Sequence, residues 1–244
     1  MPIWIDALAL AVAGSVGGLL TASILLVVSQ PIRDRVVPWL VSYAVGTLLG
    51  AALLALTPQA LASLPPPRVF GSLLAGIMTF FVLEKLVLWR HSHDDHECDV
   101  HKSTVTLVIV GDAVHTFVDG VVIAAAVLVS LPLGLTTALA VAAHEIPQEA
   151  GDFAILLAAG HSRARALLLN LTSAIGGLLG AGAMLLFGEH APHALPYILA
   201  FAAGNFLYVA MADLIPTLHR GTLDRNAVRQ LALIGFGVAT IAIL

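Results

Sequence analysis

Eight stretches of this chain are apolar over about the length that carries a helix across a bilayer, roughly 20 residues. They run over 4–29, 37–61, 69–89, 104–131, 134–159, 164–187, 195–218 and 227–244. Only 11% of the residues are charged, against about 25% in an ordinary soluble domain. A buried core does not account for so large a deficit. Gln30-Pro31, Leu64 to Pro67, Leu131-Pro132, Gly160-His161, Ala191-Pro192 and Gly221 punctuate the joins. No join is long enough for a soluble domain, so residues 1–244 read as a single transmembrane domain. The expected fold class is an all-α integral membrane protein of eight transmembrane helices. No Lys or Arg precedes Arg33, so the first stretch lacks the basic flank of a signal peptide and is read as a helix. Cys98 is the single cysteine, which excludes an internal disulfide.

The basic residues orient the helices. With the N-terminus outside, the inner ends and loops hold Arg33, Arg35, Lys85, Arg90, Lys102, Arg163, Arg165, Arg220, Arg225 and Arg229. The outer side holds Arg68 alone, which is a strong positive-inside asymmetry. Both termini then lie outside a cell inner or plasma membrane, and loop 90–103 is cytoplasmic.

Two of the stretches break the rule that spans are apolar. The fourth contains Asp112, His115, Thr116 and Asp119, and the fifth contains His144, Glu145, Pro147, Gln148, Glu149 and Asp152. A carboxylate at a helix centre costs about 2.5–3.5 kcal/mol on the insertion scale. Five of them sum to roughly 15 kcal/mol before pairing, which implies a cation, a water-filled path, or both. At about 100° per residue, Asp112, His115, Thr116 and Asp119 share an arc of ~100° on one helix face. His144, Gln148 and Asp152 follow one another at i, i+4 and i+8, with Glu145 and Glu149 beside them. Consecutive spans are antiparallel, so the two polar faces can meet near the midplane.

Imidazoles, carboxylates and one amide suit zinc, iron(II) or manganese(II), and the lack of a thiolate there argues against copper(I). Pro147 frees the carbonyl of Ala143, and unwound backbone is tolerated at such depth where it lines an ion site. The opening His144-Glu145 resembles the H-E-x-x-H helix of zinc proteases, but position 148 is Gln. An enzyme is therefore not expected.

These residues resemble the Zrt/Irt-like (ZIP) metal transporters, most closely the subfamily whose fifth helix reads H-E-x-P-H-E-x-G-D. Here that stretch is H-E-I-P-Q-E-A-G-D, His144 to Asp152, and the fourth-helix pattern H-N-x-x-D-G appears as H-T-F-V-D-G, His115 to Gly120. Weaker likeness lies in Gly46 to Pro58, Phe80 to Lys85, and Ala203 to Pro216. The resemblance implies eight helices, termini outside, and divalent metal, zinc foremost, moving into the cytosol; cadmium, iron(II) and manganese(II) are the other cargoes. It implies a metal centre between helices 4 and 5 with His115, Asp119, His144 and Gln148 as primary ligands, and a neighbouring site using Thr116, Asp119 and Glu145. Asp112, Glu149 and Asp152 are the remaining candidate metal-site residues.

The chain departs from the pattern at Thr116, where the family has Asn, and at Gln148, where it has His or Glu. Ala51 and Ala55 replace an Asp and a His tied to the outer approach, so metal either enters by another route or is held more loosely. Loop residues His91 to His101 carry four His, Cys98 and four acids, a set that could capture metal on the cytosolic side. Gly14/Gly18, Gly46/Gly50 and Gly176/Gly180 repeat at i+4 and suit close helix contact. Segments 46–58 and 204–216 both run from Gly to Pro, which hints at an inverted repeat. The implied partners are divalent metal ions and lipid, with no nucleic acid, and a homodimer is left open. The rival reading is a non-transporting membrane metal sensor.

Overall fold

The computed structural model describes residues 2–91, 100–188, 192–218 and 225–244. Among them the chain forms eight helices: α1 Ile3–Val27, α2 Gln30–Leu61, α3 Pro66–His91, α4 Val100–Val129, α5 Leu131–Ala158, α6 Arg163–Gly188, α7 Pro192–Leu218 and α8 Arg225–Ile243. Six of these, α1 to α4, α6 and α7, are long and apolar enough to cross a membrane. The apolar part of α8, Ala227–Ile243, is shorter. The fifth helix falls below that hydropathy because its second half carries His144, Glu145, Gln148, Glu149 and Asp152. Of His91 to His101, the segment expected to capture metal, residues 92–99 lie outside the described residues; positions 90–91 and 100–103 of the expected loop form the ends of α3 and α4.

Local sequence sets the boundaries of α5. The Ser130 hydroxyl accepts from Leu133 N at 3.3 Å, and Pro132 follows in the first turn, where its missing N–H is harmless. At the other end Gly160 takes φ +85, the left-handed region that favours glycine. Its N–H donates to Leu157 O at 3.0 Å and His161 N–H donates to Leu156 O at 3.1 Å, a paired closure of the last turn. Between these ends α5 stays α-helical through Pro147. The backbone is not unwound there, contrary to the expectation from sequence.

The irregular backbone lies elsewhere. In α2 residues Ala51–Leu56 form a π segment, and in α7 residues Val209–Leu214 do the same. Each begins five residues after a glycine, Gly46 or Gly204, and ends two residues before a proline, Pro58 or Pro216. A proline ring collides with the carbonyl four residues back. Those carbonyls belong to Leu54 and Ala212, inside the two widened turns, which relieve the clash.

The repeat extends to packing. Gly46 of α2 lies against the backbone of Ile234 in α8, and Gly237 of α8 lies against Tyr43 and Thr47 in α2. In the same way Gly204 of α7 lies against Leu73 in α3, and Gly76 of α3 lies against Phe201 and Asn205 in α7. A Cβ at any of the four would run into neighbouring backbone. Two helix pairs, α2–α8 and α3–α7, thus share one contact pattern, as the Gly-to-Pro match in sequence suggested. Four other glycines serve the centre: Gly176 and Gly180 bring α6 backbone to backbone with α4, Gly14 seats α1 on α4 and α5, and Gly18 seats it on α5.

Candidate metal centre

The fourth and fifth helices cross with His115, Asp119, His144 and Glu145 facing one another. One ligand atom from each of the four lies within 4.8 Å of the others. Asp119 and Glu145 are 0% exposed and His144 is 1% exposed, so the group sits in the body of the bundle. His144 Nδ1 lies 3.0 Å from the carbonyl oxygen of Ala140 one turn earlier. A carbonyl only accepts, so Nδ1 carries the ring proton and Nε2 keeps its lone pair for the centre. Two aromatic edges frame the imidazoles: Phe80 of α3 against His115 and Phe206 of α7 against His144.

Three separations within the centre fit a metal. His115 Nε2 to His144 Nε2 is 3.1 Å, His144 Nε2 to Asp119 Oδ2 is 3.2 Å, and His115 Nε2 to Asp119 Oδ2 is 3.5 Å. Ligands about 2.0–2.1 Å from a tetrahedral zinc stand roughly 3.3 Å apart. Neither Asp119 oxygen and neither Glu145 oxygen has a hydrogen bond of good geometry. Orphaned buried carboxylate oxygens are costly, and a divalent cation would satisfy them together.

Gln148 does not join this group. Its amide donates to Asp112 Oδ1 at 3.2 Å, one turn along both helices. Thr116 does not turn toward Asp119 either; its hydroxyl donates to Ser173 O at 2.9 Å on α6. Asp112 also accepts from the Ser173 hydroxyl. Glu149, fully buried with both oxygens lacking a well-formed hydrogen bond, faces Asn170 of α6, and Asp152 stands nearest the helix end. Eight of the nine candidate residues therefore divide into a histidine-bearing centre and a carboxylate-and-amide group behind it, and Thr116 is tied to the α6 backbone instead. Both lie on one polar track between α4, α5 and α6.

Several supporting residues were not singled out in the sequence. Asn170 and Ser173, three apart on α6, complete the second group; their polarity inside an apolar stretch was the available signal. The i+4 repeat suits Gly18 to close helix contact, and an added Cβ there would lie 2.5 Å from Glu145 Cβ, so this glycine also gives Glu145 its room. Beyond α4 and α5, the Tyr208 hydroxyl donates to the Glu84 carboxylate, tying α7 to α3.

Comparisons with known proteins point to one family. A family model described as ZIP zinc transporter matches residues 88–244. Zinc transporter ZIP13 of Pongo abelii is 35% identical over 219 residues, covering 84% of this chain and 65% of that protein. Human zinc transporter ZIP13 is 30% identical over 257 residues, covering 84% and 69%. Mouse zinc transporter ZIP4 is 49% identical over 112 residues, covering 46% of this chain but 17% of its own length. The chain thus spans about two thirds of the ZIP13 proteins and under a fifth of ZIP4. A membrane bundle whose two polar helices converge on histidine and carboxylate, matched by this family model over most of its length, belongs to the ZIP zinc transporter family.

Proposed function

We propose that this chain carries divalent metal ions, zinc foremost, across the membrane and into the cytosol, and that it is a transporter rather than an enzyme. The carrying observation is the convergence of two imidazole nitrogens and the Asp119 carboxylate at 3.1–3.5 Å in the buried middle of the bundle. His115, Asp119, His144 and Glu145 hold the ion. Gln148, Asp112, Glu149 and Asp152 take it onward, with Thr116 bracing α4 against α6. The weaker donors of the second group suit release, because conduction needs a site that an ion can leave. The excess of basic residues on one side supports a cytosolic position for that group and both termini outside. Cadmium, iron(II) and manganese(II) share the donor preferences and are the expected competitors.

Uptake of zinc into proteoliposomes containing the purified chain tests this reading, and saturable flux is the expected result. A chain that binds zinc yet gives no flux above empty vesicles would instead be the membrane sensor.

Acid should weaken binding. Imidazole ligates only in its neutral form, so protons compete with metal. Apparent zinc affinity should fall as the pH is lowered, by up to about tenfold per pH unit for each imidazole that takes a proton. Calorimetric titration at pH 7.5, 6.5 and 5.5 measures it. Constant affinity over that interval would rule out imidazole ligands.

Gln148→His should tighten zinc binding. The new imidazole stands at i+4 from His144 and can leave Asp112 for the ion, and imidazole is a better zinc donor than an amide oxygen. The half-saturation concentration should drop about tenfold, zinc should gain over manganese, and maximal rate should stay level or fall. Unchanged affinity and selectivity would mean that residue 148 cannot reach the metal.

A further inference from the structure

A groove of about 560 Å³ runs along the bundle between α3, α4 and α7. Its walls are apolar, with Ala75 from α3, Val118 and Val122 from α4, and Phe201 from α7. It is open on one side. Tyr197 closes one end, and there Arg68 Nη1 donates to the Tyr197 hydroxyl at 3.4 Å. Arg68 is the one Lys or Arg assigned to this end of the bundle, and among the described residues it has no carboxylate partner. The groove follows a seam. Glycines lock α3 to α7 on one side and α4 to α6 on the other, while α4 meets α3 and α7 loosely.

We propose that a phospholipid occupies this seam, with one acyl chain in the groove and its phosphate on Arg68 and Tyr197. An unfilled apolar groove forfeits dispersion contacts along its whole lining, and an acyl chain at bilayer depth restores them. A guanidinium without a carboxylate, beside a phenol, is a phosphate-binding pair. Val118 directly precedes Asp119 and Val122 follows it by three residues, so the lipid bears on the helix that carries His115 and Asp119 without entering the metal centre. The proposal rests on the membrane setting of the chain and not on its metal chemistry.

Native mass spectrometry of the full chain in detergent tests it with three probes: dioleoylphosphatidylglycerol, dioleoylglycerol, which keeps the chains and lacks the phosphate, and inorganic phosphate. One phosphatidylglycerol per chain should be retained, dioleoylglycerol about tenfold more weakly, and phosphate not at all. Arg68→Ala, a change at an exposed position, should lower phosphatidylglycerol retention to the dioleoylglycerol level and leave zinc binding unchanged. Ala75→Phe should displace both lipids. Equal retention of the two lipids, or full retention in Arg68→Ala, overturns the phosphate contact. A lipid-free dimer that Ala75→Phe splits overturns the proposal in favour of a second copy of the chain over the groove.

Discussion

Asp119→Ala should reduce saturable zinc uptake to the level of empty vesicles while the protein still inserts and folds. Asp119 stands between the two imidazoles, 3.2 Å from one and 3.5 Å from the other, and is the carboxylate that draws them to one point. Without it two neutral nitrogens and Glu145 remain. Losing even a residue that only supports a metal ligand costs 10–100-fold in affinity, so loss of this one should cost more than about 100-fold. Stability should move the other way or not at all. Both Asp119 oxygens are buried without a well-formed hydrogen bond, so removing the carboxylate removes a desolvated charge. Zinc uptake and thermal unfolding of the metal-free protein, measured side by side, separate the two effects. Near-normal uptake would remove Asp119 from the site. Lost uptake together with collapsed folding would make it a structural residue.

Gly120→Val should prevent assembly of the bundle. A Cβ at Gly120 meets the carbonyl oxygen and Cα of Gly177, which are backbone atoms that cannot swing aside. Across the same interface a Cβ at Gly180 would meet the carbonyl of Phe117. The helices therefore approach as closely as their main chains allow, and a branched side chain would have to force them apart. Overpacking in a close-packed interior costs about 1–3 kcal/mol where neighbours can yield; here they cannot, and a loss of about 3 kcal/mol or more is expected. It would also move Asp119, one residue away, out of register with His144. Gly182→Ala is the control, since nothing lies within 4 Å of its added carbon and the helix gains about 1 kcal/mol from alanine. Yield of monodisperse protein and melting temperature measure both variants. A Gly120→Val protein as stable as the parent would mean that α4 and α6 do not pack in this way.

The glycines show how far sequence reading reaches. Gly176 and Gly180, four apart on one apolar stretch, mark a face for close contact, and that is a property of the stretch alone. That the partner is α4 and not a neighbour in sequence is a property of the bundle. Gly14 and Gly18 make the same case with a further consequence: the face was legible, but its role in seating Glu145 requires α5 to be present.

For the metal centre the division is sharper. Hydropathy and a 100° step are local quantities, so residues 112–119 and 144–152 could be read from the chain as polar faces inside apolar helices, and consecutive spans had to run antiparallel. The direction in which each side chain turns is decided by what the other helices offer. Ser173 draws Asp112, Asp112 draws Gln148, and Ser173 O draws Thr116, so hydrogen bonds across three helices hold Gln148 a turn away from the ion and turn Thr116 toward α6. Pro147, Pro58 and Pro216 are alike in sequence, yet the backbone widens before two of them and not before the third. A proline specifies that a carbonyl must yield. Where that strain goes depends on the packing of the turn around it, which is a tertiary quantity that no single segment carries.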